Sequence, residues 1–236
     1  MENCHPPRGL LLFDLDGTLI DSRADLAAAV NRTRADFGLA PRPVEDIAAC
    51  VGEGLRNLVT RTMPELAEPQ LDSAIAAGRR HYGAHLLDAT TLYPGARETL
   101  ARLCLAGYRL GILSNKPHEF TVEILARLGL ASFFTVVMGS AVGRPMKPDP
   151  EPVLEALRQS GCQAAGSWVI GDHFTDLEAG RRAGVKRAFC TFGFGDARQE
   201  GNDLVIQALP ELADYLLGAA ASRWGSSQTV ALGARH

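Results

Sequence analysis

Two aspartates, Asp14 and Asp16, stand two residues apart directly behind the apolar run Gly9-Leu10-Leu11-Leu12-Phe13. A short apolar run opened by a glycine reads as a buried strand. If strand geometry persists at its exit, both carboxylates point the same way. Gly17 then permits a sharp turn, and Thr18 offers a hydroxyl. Two acids confined at one strand end are costly to desolvate unless a positive charge lies between them. A divalent cation together with a phosphate meets that need. The plain alternative is a polar strand-to-loop turn, because Asp and Gly are ordinary turn residues.

The other polar residues with chemical potential fall in comparable places. Ser114 and Asn115 follow Leu110-Gly111-Ile112-Leu113, and Lys147 opens Lys147-Pro148-Asp149-Pro150. Asp172 follows Trp168-Val169-Ile170-Gly171, with Asp176 four residues on. Each sits at or beyond the carboxyl end of an apolar run, the rim where open parallel sheets bind ligands. Taken singly, Ser114 reads equally as a helix cap, Lys147 as a solvated charge and Asp172 as the cap of the next helix. Scattered polar turns would occupy both ends of the strands, whereas these crowd one.

The elements that must position them alternate in type. Strands are expected at 10–13, 108–113, 134–138 and 168–170, with a weaker one at 187–191. Helices are expected at 95–106, 119–128, 150–160, 175–183 and 209–217. Such alternation predicts an α/β fold, a Rossmann-like doubly wound parallel sheet with helices on both faces. The interval 22–92 breaks the pattern. Leu26, Val30 and Phe37 recur at helical spacing, as do Leu55, Leu58, Val59 and Met63, and 70–87 reads as a further helix. An all-helical cap inserted between the first two strands is therefore expected at 22–92, with the core formed by 1–21 and 93–221. The Ser/Gly-rich tail 222–236 is expected to be disordered.

Composition narrows the function classes. The 236 residues are 46% hydrophobic and 22% charged, with a formal net charge of −3. Nothing in that balance points to nucleic acid, and no apolar stretch is long enough to span a membrane. The five cysteines (Cys4, Cys50, Cys104, Cys162, Cys190) lack metal-ligand spacing, and the first residues do not read as a signal peptide. Reduced thiols in a cytoplasmic protein are the expectation. Monomer and homodimer both remain open.

With these motifs in order, the chain resembles the haloacid dehalogenase-like superfamily of phosphatases. The resemblance rests on Asp14-Leu15-Asp16-Gly17-Thr18, Ser114-Asn115, Lys147, and Gly171-Asp172 with Asp176. Within that superfamily it is most similar to bacterial phosphoglycolate phosphatases, through Val51-Gly52-Glu53-Gly54-Leu55, Tyr93-Pro94-Gly95, Ser114-Asn115-Lys116-Pro117 and Lys147-Pro148-Asp149-Pro150. The resemblance implies that Asp14 attacks phosphorus to form an aspartyl-phosphate, while Asp16 serves as general acid and then general base. Ser114 and the Asn115 backbone would bind the phosphoryl oxygens, and Lys147 would neutralise them.

Electrostatics then demands a metal. Three carboxylates (Asp14, Asp172, Asp176) and a phosphate dianion face the single positive charge of Lys147. Each like-charge pair at about 4 Å costs roughly 4 kcal/mol at an effective dielectric near 20. Mg²⁺ is the expected cofactor, a hard cation suited to oxygen ligands. Asp14 and Asp172 are its expected ligands, with the Asp16 backbone carbonyl implied by resemblance. Asp176 would bind the metal's water or orient Lys147.

Substrate choice is expected from the cap, through Gly52 and Gly54 backbone N–H groups and an Arg56 clamp on a substrate carboxylate. Thr18 is also placed among the substrate-binding residues. The expected partner is a small phosphate ester, 2-phosphoglycolate first. Sugar phosphates, nucleotides, a sugar phosphomutase activity and a silent binding module on the same fold stay open. His173 departs from the Ser or Thr usual in such phosphatases, and its role is open. His81 and His85, four apart, read as a solvated or core-edge pair ahead of a metal pair.

Overall fold

The computed structural model describes residues 7–218, so the expected tail 222–236 and Cys4 lie outside the described residues. Six parallel strands form one sheet in the order β5-β4-β1-β6-β7-β8. They are β1 (Leu10–Phe13), β4 (Arg109–Pro117), β5 (Phe134–Ser140), β6 (Trp168–Gly171), β7 (Lys186–Cys190) and β8 (Leu204–Ile206). β1 lies at the centre, paired in parallel with β4 on one side and β6 on the other. The chain builds outward from β1 in both directions, which makes its carboxyl end the switch point of the sheet.

The apolar run of β1 is continuous because both of its faces are covered. Leu11 and Phe13 pack into one cluster with Leu100 and Leu103 of α5 (Ala96–Leu105), Ile124 of α6 (His118–Arg127) and Leu212 of α9 (Leu209–Leu216). Leu10 and Leu12 pack into the other with Val153 and Leu157 of α7 (Glu151–Ser160) and Ala179 of α8 (Phe174–Ala183). All four side chains are at most 1% exposed, and burying each contributes on the order of 2 kcal/mol.

The helical insertion comprises α1 (Arg23–Asp36), α2 (Val44–Ala48), α3 (Leu55–Thr62) and α4 (Glu68–Ala84). The chain leaves the sheet through β2 (Ile20–Asp21) and returns through β3 (Thr91–Leu92), which pair antiparallel. The expectation of no strand in 22–92 is corrected at its last two residues, and the helix expected at 70–87 runs Glu68–Ala84 instead. Pro69 in the first turn starts that helix early, since a proline there gives up no helical hydrogen bond. β8 is a further strand with no counterpart in the sequence reading.

One buried acid ties the two ends of the insertion together. Asp25 of α1 accepts hydrogen bonds from the backbone N–H of Ala89 (3.0 Å) and Thr90 (2.8 Å) and from Thr90 Oγ1 (2.6 Å). Asp25→Ala strands these donors, both Thr90 groups in a buried setting. The expected loss is about 3 kcal/mol of unfolding free energy, read from the urea midpoint. A change under about 0.5 kcal/mol excludes the tie.

Candidate active site

The exits of β1, β4 and β6, with the loop after β5, bring seven of the expected residues to one rim. Asp14, Ser114, Asn115, Lys147, Asp172 and Asp176 are buried there, and Asp16 is half-buried beside them. One carboxylate oxygen from each of Asp14, Asp172 and Asp176 lies within 4.8 Å of the others. The Lys147 ammonium sits against this cluster, 2.5 Å from Asp176 Oδ1 and 3.0 Å from Asp14 Oδ1, and donates to the Leu113 carbonyl at 2.7 Å. The Asp14 contact lacks hydrogen-bond geometry, so Asp14 Oδ1 is buried with no hydrogen-bond partner among the described residues.

Asp172 is held from three sides. Its Oδ2 accepts from the backbone N–H of Phe194 (3.0 Å) and Gly195 (2.8 Å), and its Oδ1 accepts from Thr18 Oγ1 (3.2 Å). Gly17 at φ +81° passes so close that a Cβ there would overlap the Asp172 carboxylate. The Thr18 hydroxyl is thus fully buried against Asp172, which corrects its expected place among groups that face a substrate. The residues 192–195 beyond β7 had not been expected at the site. Their signal was a glycine-rich stretch, Thr191-Phe192-Gly193-Phe194-Gly195, behind a weak strand.

Asp16 turns to a different partner. Lys116 Nζ donates to its Oδ1 at 2.6 Å and its Oδ2 at 2.7 Å, and Ser22 Oγ donates at 2.5 Å. Burial works against the Lys116 ammonium, but the Asp16 charge more than offsets it, and the lysine pKa ends above its ordinary value. Lys116 was missed in the sequence, although its place two residues after Ser114 on a strand puts both on one face.

The cap reaches the rim through the turn 51–54. Asn115 Nδ2 donates to the Gly52 carbonyl at 2.9 Å and to the Lys147 carbonyl at 2.8 Å, so its side chain ties the cap to the lysine loop. Gly52 (φ +115°) rests on the His173 ring, where a Cβ would lie 2.8 Å from ring carbons. His173 caps α8, its Nδ1 accepting from the Thr175 N–H, and burial holds its pKa down to about 4. Glu53 bridges Arg61 (2.8 Å) and Arg198 (3.1 Å). Gly52 and Gly54 line the cavity that encloses Asp14 and Asp16, a space of about 60 Å³. Arg56 does not reach it. That side chain is 62% exposed and pairs with Asp72 Oδ1 at 2.5 Å. The expected clamp fails geometrically, because the register of α3 turns Arg56 outward while Leu55 and Leu58 face the cavity. His81 pairs with Asp36 and His85 with Asp88, so neither nitrogen pair converges on a metal position.

These contacts carry a pH dependence. Burial, then the nearby Asp14 and Asp176 charges, push Asp172 up to about 8. Burial moves Asp176 in the same direction. The folded, metal-free protein then holds protons that the unfolded chain has already released, so stability falls as pH rises from about 4 to about 8. A thermal melt in EDTA is expected to show a lower Tm at pH 8 than at pH 5.5. Added Mg²⁺ is expected to raise Tm more at pH 8, where fewer protons compete. A flat or rising metal-free profile overturns the assignment.

A model of the haloacid dehalogenase-like hydrolase family matches residues 11–190. The chain belongs to that family. A phosphoglycolate phosphatase of Chromobacterium violaceum is 34% identical over 209 residues, covering 86% of this chain and 94% of the relative. One from Aquifex aeolicus is 34% identical over 207 residues, covering 88% and 96%. Among solved structures, a predicted phosphoglycolate phosphatase from Haemophilus somnus superposes with a TM-score of 0.82 at 27% identity, covering 89% of this chain and 97% of that one. In this chain an α/β core carries the acidic rim, and the helical insertion lines the cavity above it. No helix among the described residues is long and apolar enough to cross a membrane.

Proposed function

We propose that this protein is a Mg²⁺-dependent phosphatase that hydrolyses 2-phosphoglycolate through an aspartyl-phosphate on Asp14. One observation carries the reading: a buried Asp14 oxygen with no hydrogen-bond partner among the described residues, set between the Lys147 ammonium and two further carboxylates. An acceptor-only cluster of three hard oxygens fits a divalent cation. Asp14 and Asp172 would hold the ion by their side chains and Asp16 by its backbone carbonyl. Asp176 accepts from Lys147 at Oδ1 and from the His173 N–H at Oδ2, so it holds Lys147 beside the cluster and adds negative charge. When bound, the dication offsets the carboxylate charge and polarises the phosphoryl group.

The chain's own residues supply the remaining chemistry. The Asp14 carboxylate attacks phosphorus as the ester oxygen departs, and Asp16, which must enter this step protonated, gives that proton to the departing oxygen and is left as the carboxylate. Asp16 then takes a proton from the water that cleaves the acyl-phosphate, releasing inorganic phosphate and restoring Asp14. The Ser114 hydroxyl and the Asn115 N–H hold the equatorial oxygens, with Lys147 balancing their charge. The cavity supports a small substrate, since about 60 Å³ is far below the roughly 300 Å³ or more of pockets for drug-sized ligands. The relatives' names point the same way.

The test is phosphate release from phosphoglycolate, sugar phosphates and nucleotides, compared by kcat/KM with Mg²⁺, with EDTA, and after Mg²⁺ is restored. Phosphoglycolate is expected to lead, with activity lost on chelation and regained with the metal. No release from any ester under any divalent metal would leave the silent binding module as the better reading. The described cysteines are all free thiols, in keeping with a cytoplasmic enzyme.

A further inference from the structure

A 2-phospho acid carries a second anion, and Arg56, paired with Asp72 outside the cavity, does not meet it. Among the described residues that line the cavity, Lys116 is the one Lys or Arg. Its ammonium has three N–H donors, and the Asp16 oxygens at 2.6 and 2.7 Å account for two. The Nζ also stands 4.5 Å from the ring centroid of Tyr82, a residue of α4 in the cap. The Tyr82 hydroxyl is buried, belongs to a residue of the cavity lining and has no hydrogen-bond partner among the described residues. Desolvation pushes this phenol up to about 12, so it remains a neutral donor. Around the pair the lining is apolar: Leu26, Val30, Val59, Met63 and Phe120.

We propose that Lys116 and Tyr82 form the subsite for the carboxylate of a 2-phospho acid, one donor from the core and one from the cap. The inference rests on the phosphoglycolate reading and deepens it. Asp16 must reach the ester oxygen to protonate it, and the carboxyl carbon of phosphoglycolate lies two bonds from that oxygen. An ammonium one hydrogen bond from Asp16 is therefore within reach of the carboxylate. A carboxylate accepts from both residues at once, whereas an ester that ends in a methyl group leaves the Tyr82 hydroxyl and the third Lys116 N–H without an acceptor, which selects against it. Because Tyr82 arrives on the cap, the substrate's second anion also bridges cap and core.

The experiment compares kcat/KM for phosphoglycolate and for ethyl phosphate, which has no carboxylate, in wild type, Tyr82→Phe and Lys116→Met. Wild type is expected to favour phosphoglycolate by about 100-fold or more. Tyr82→Phe is expected to cut that ratio about tenfold through KM, with inhibition by inorganic phosphate unchanged. Lys116→Met is expected to abolish most of the ratio. Lys116 also holds Asp16, so its variant slows both esters, and the ratio isolates the carboxylate. Should Lys116→Met fail to fold, Tyr82→Phe, which keeps the Asp16 ion pair, carries the test. A wild-type preference that persists in both variants overturns the subsite and leaves the phosphoglycolate reading standing. A wild type without preference overturns that reading, and the subsite falls with it.

Discussion

Asp14→Asn is expected to lower turnover by about 10⁴-fold or more, the scale on which removal of a catalytic nucleophile acts. The amide keeps the shape of the side chain but supplies no nucleophilic oxygen and one less negative charge. That charge matters twice. The Asp14 carboxylate is the group whose buried oxygen lacks a hydrogen-bond partner among the described residues, and it is one of three carboxylates drawn together at the rim. Lys147, Ser114 and the Asn115 backbone remain in place, so inorganic phosphate is expected still to bind. The measurement is phosphate release under single-turnover conditions, with mass spectrometry excluding deamidation and detecting any phosphorylated enzyme in wild type. Wild-type turnover from an intact Asp14→Asn chain sinks the nucleophile assignment.

Lys147→Met is expected to damage both folding and chemistry. The lysine is 4% exposed and contacts Asp14, Asp176 and the Leu113 carbonyl. A methionine of similar length leaves the buried carboxylates facing one another without a cation. Breaking a buried pair from one side costs about 3–5 kcal/mol, and losing a charge aimed at the phosphoryl oxygens costs about 10²–10³ in kcat. The stability loss has a predictable sign with pH. Without the lysine the carboxylates hold protons more tightly, so acid relieves the repulsion. In EDTA, urea unfolding is expected to show a larger gap between wild type and variant at pH 8 than at pH 5.5. An equal gap at both pH values shows that packing rather than charge sets the loss.

The readability of this chain follows from where each residue's fate is decided. Asp14, Ser114, Lys147 and Asp172 share one rim because parallel strands deliver all their exits to the same side, and that direction is legible in the order of the motifs. A continuous apolar run such as Leu10–Phe13 is legible by itself, since burial on both faces removes every polar residue from it. β8 was not legible. It spans three residues at the sheet edge, and its Val205 is 51% exposed, so no run of buried side chains marks it. β2 and β3 have two residues each, and they pair across the whole helical insertion, which leaves no local periodicity.

The cap shows the same division at the level of single side chains. Sequence pattern alone established an α/β chain, an inserted helical segment and an acidic cluster at strand exits, because these depend on periodicity and on the chain direction of a parallel sheet. It pointed to Arg56 and passed over Lys116, both basic and both beside a motif. Helix register turned the first to solvent against Asp72, and strand register turned the second inward against Asp16. It could not show that Thr18 faces Asp172, that Gly52 rests on His173, or that Tyr82 crosses from cap to core. Those contacts join residues 34 to 154 positions apart, and only the packing of one element on another determines which partner each side chain meets.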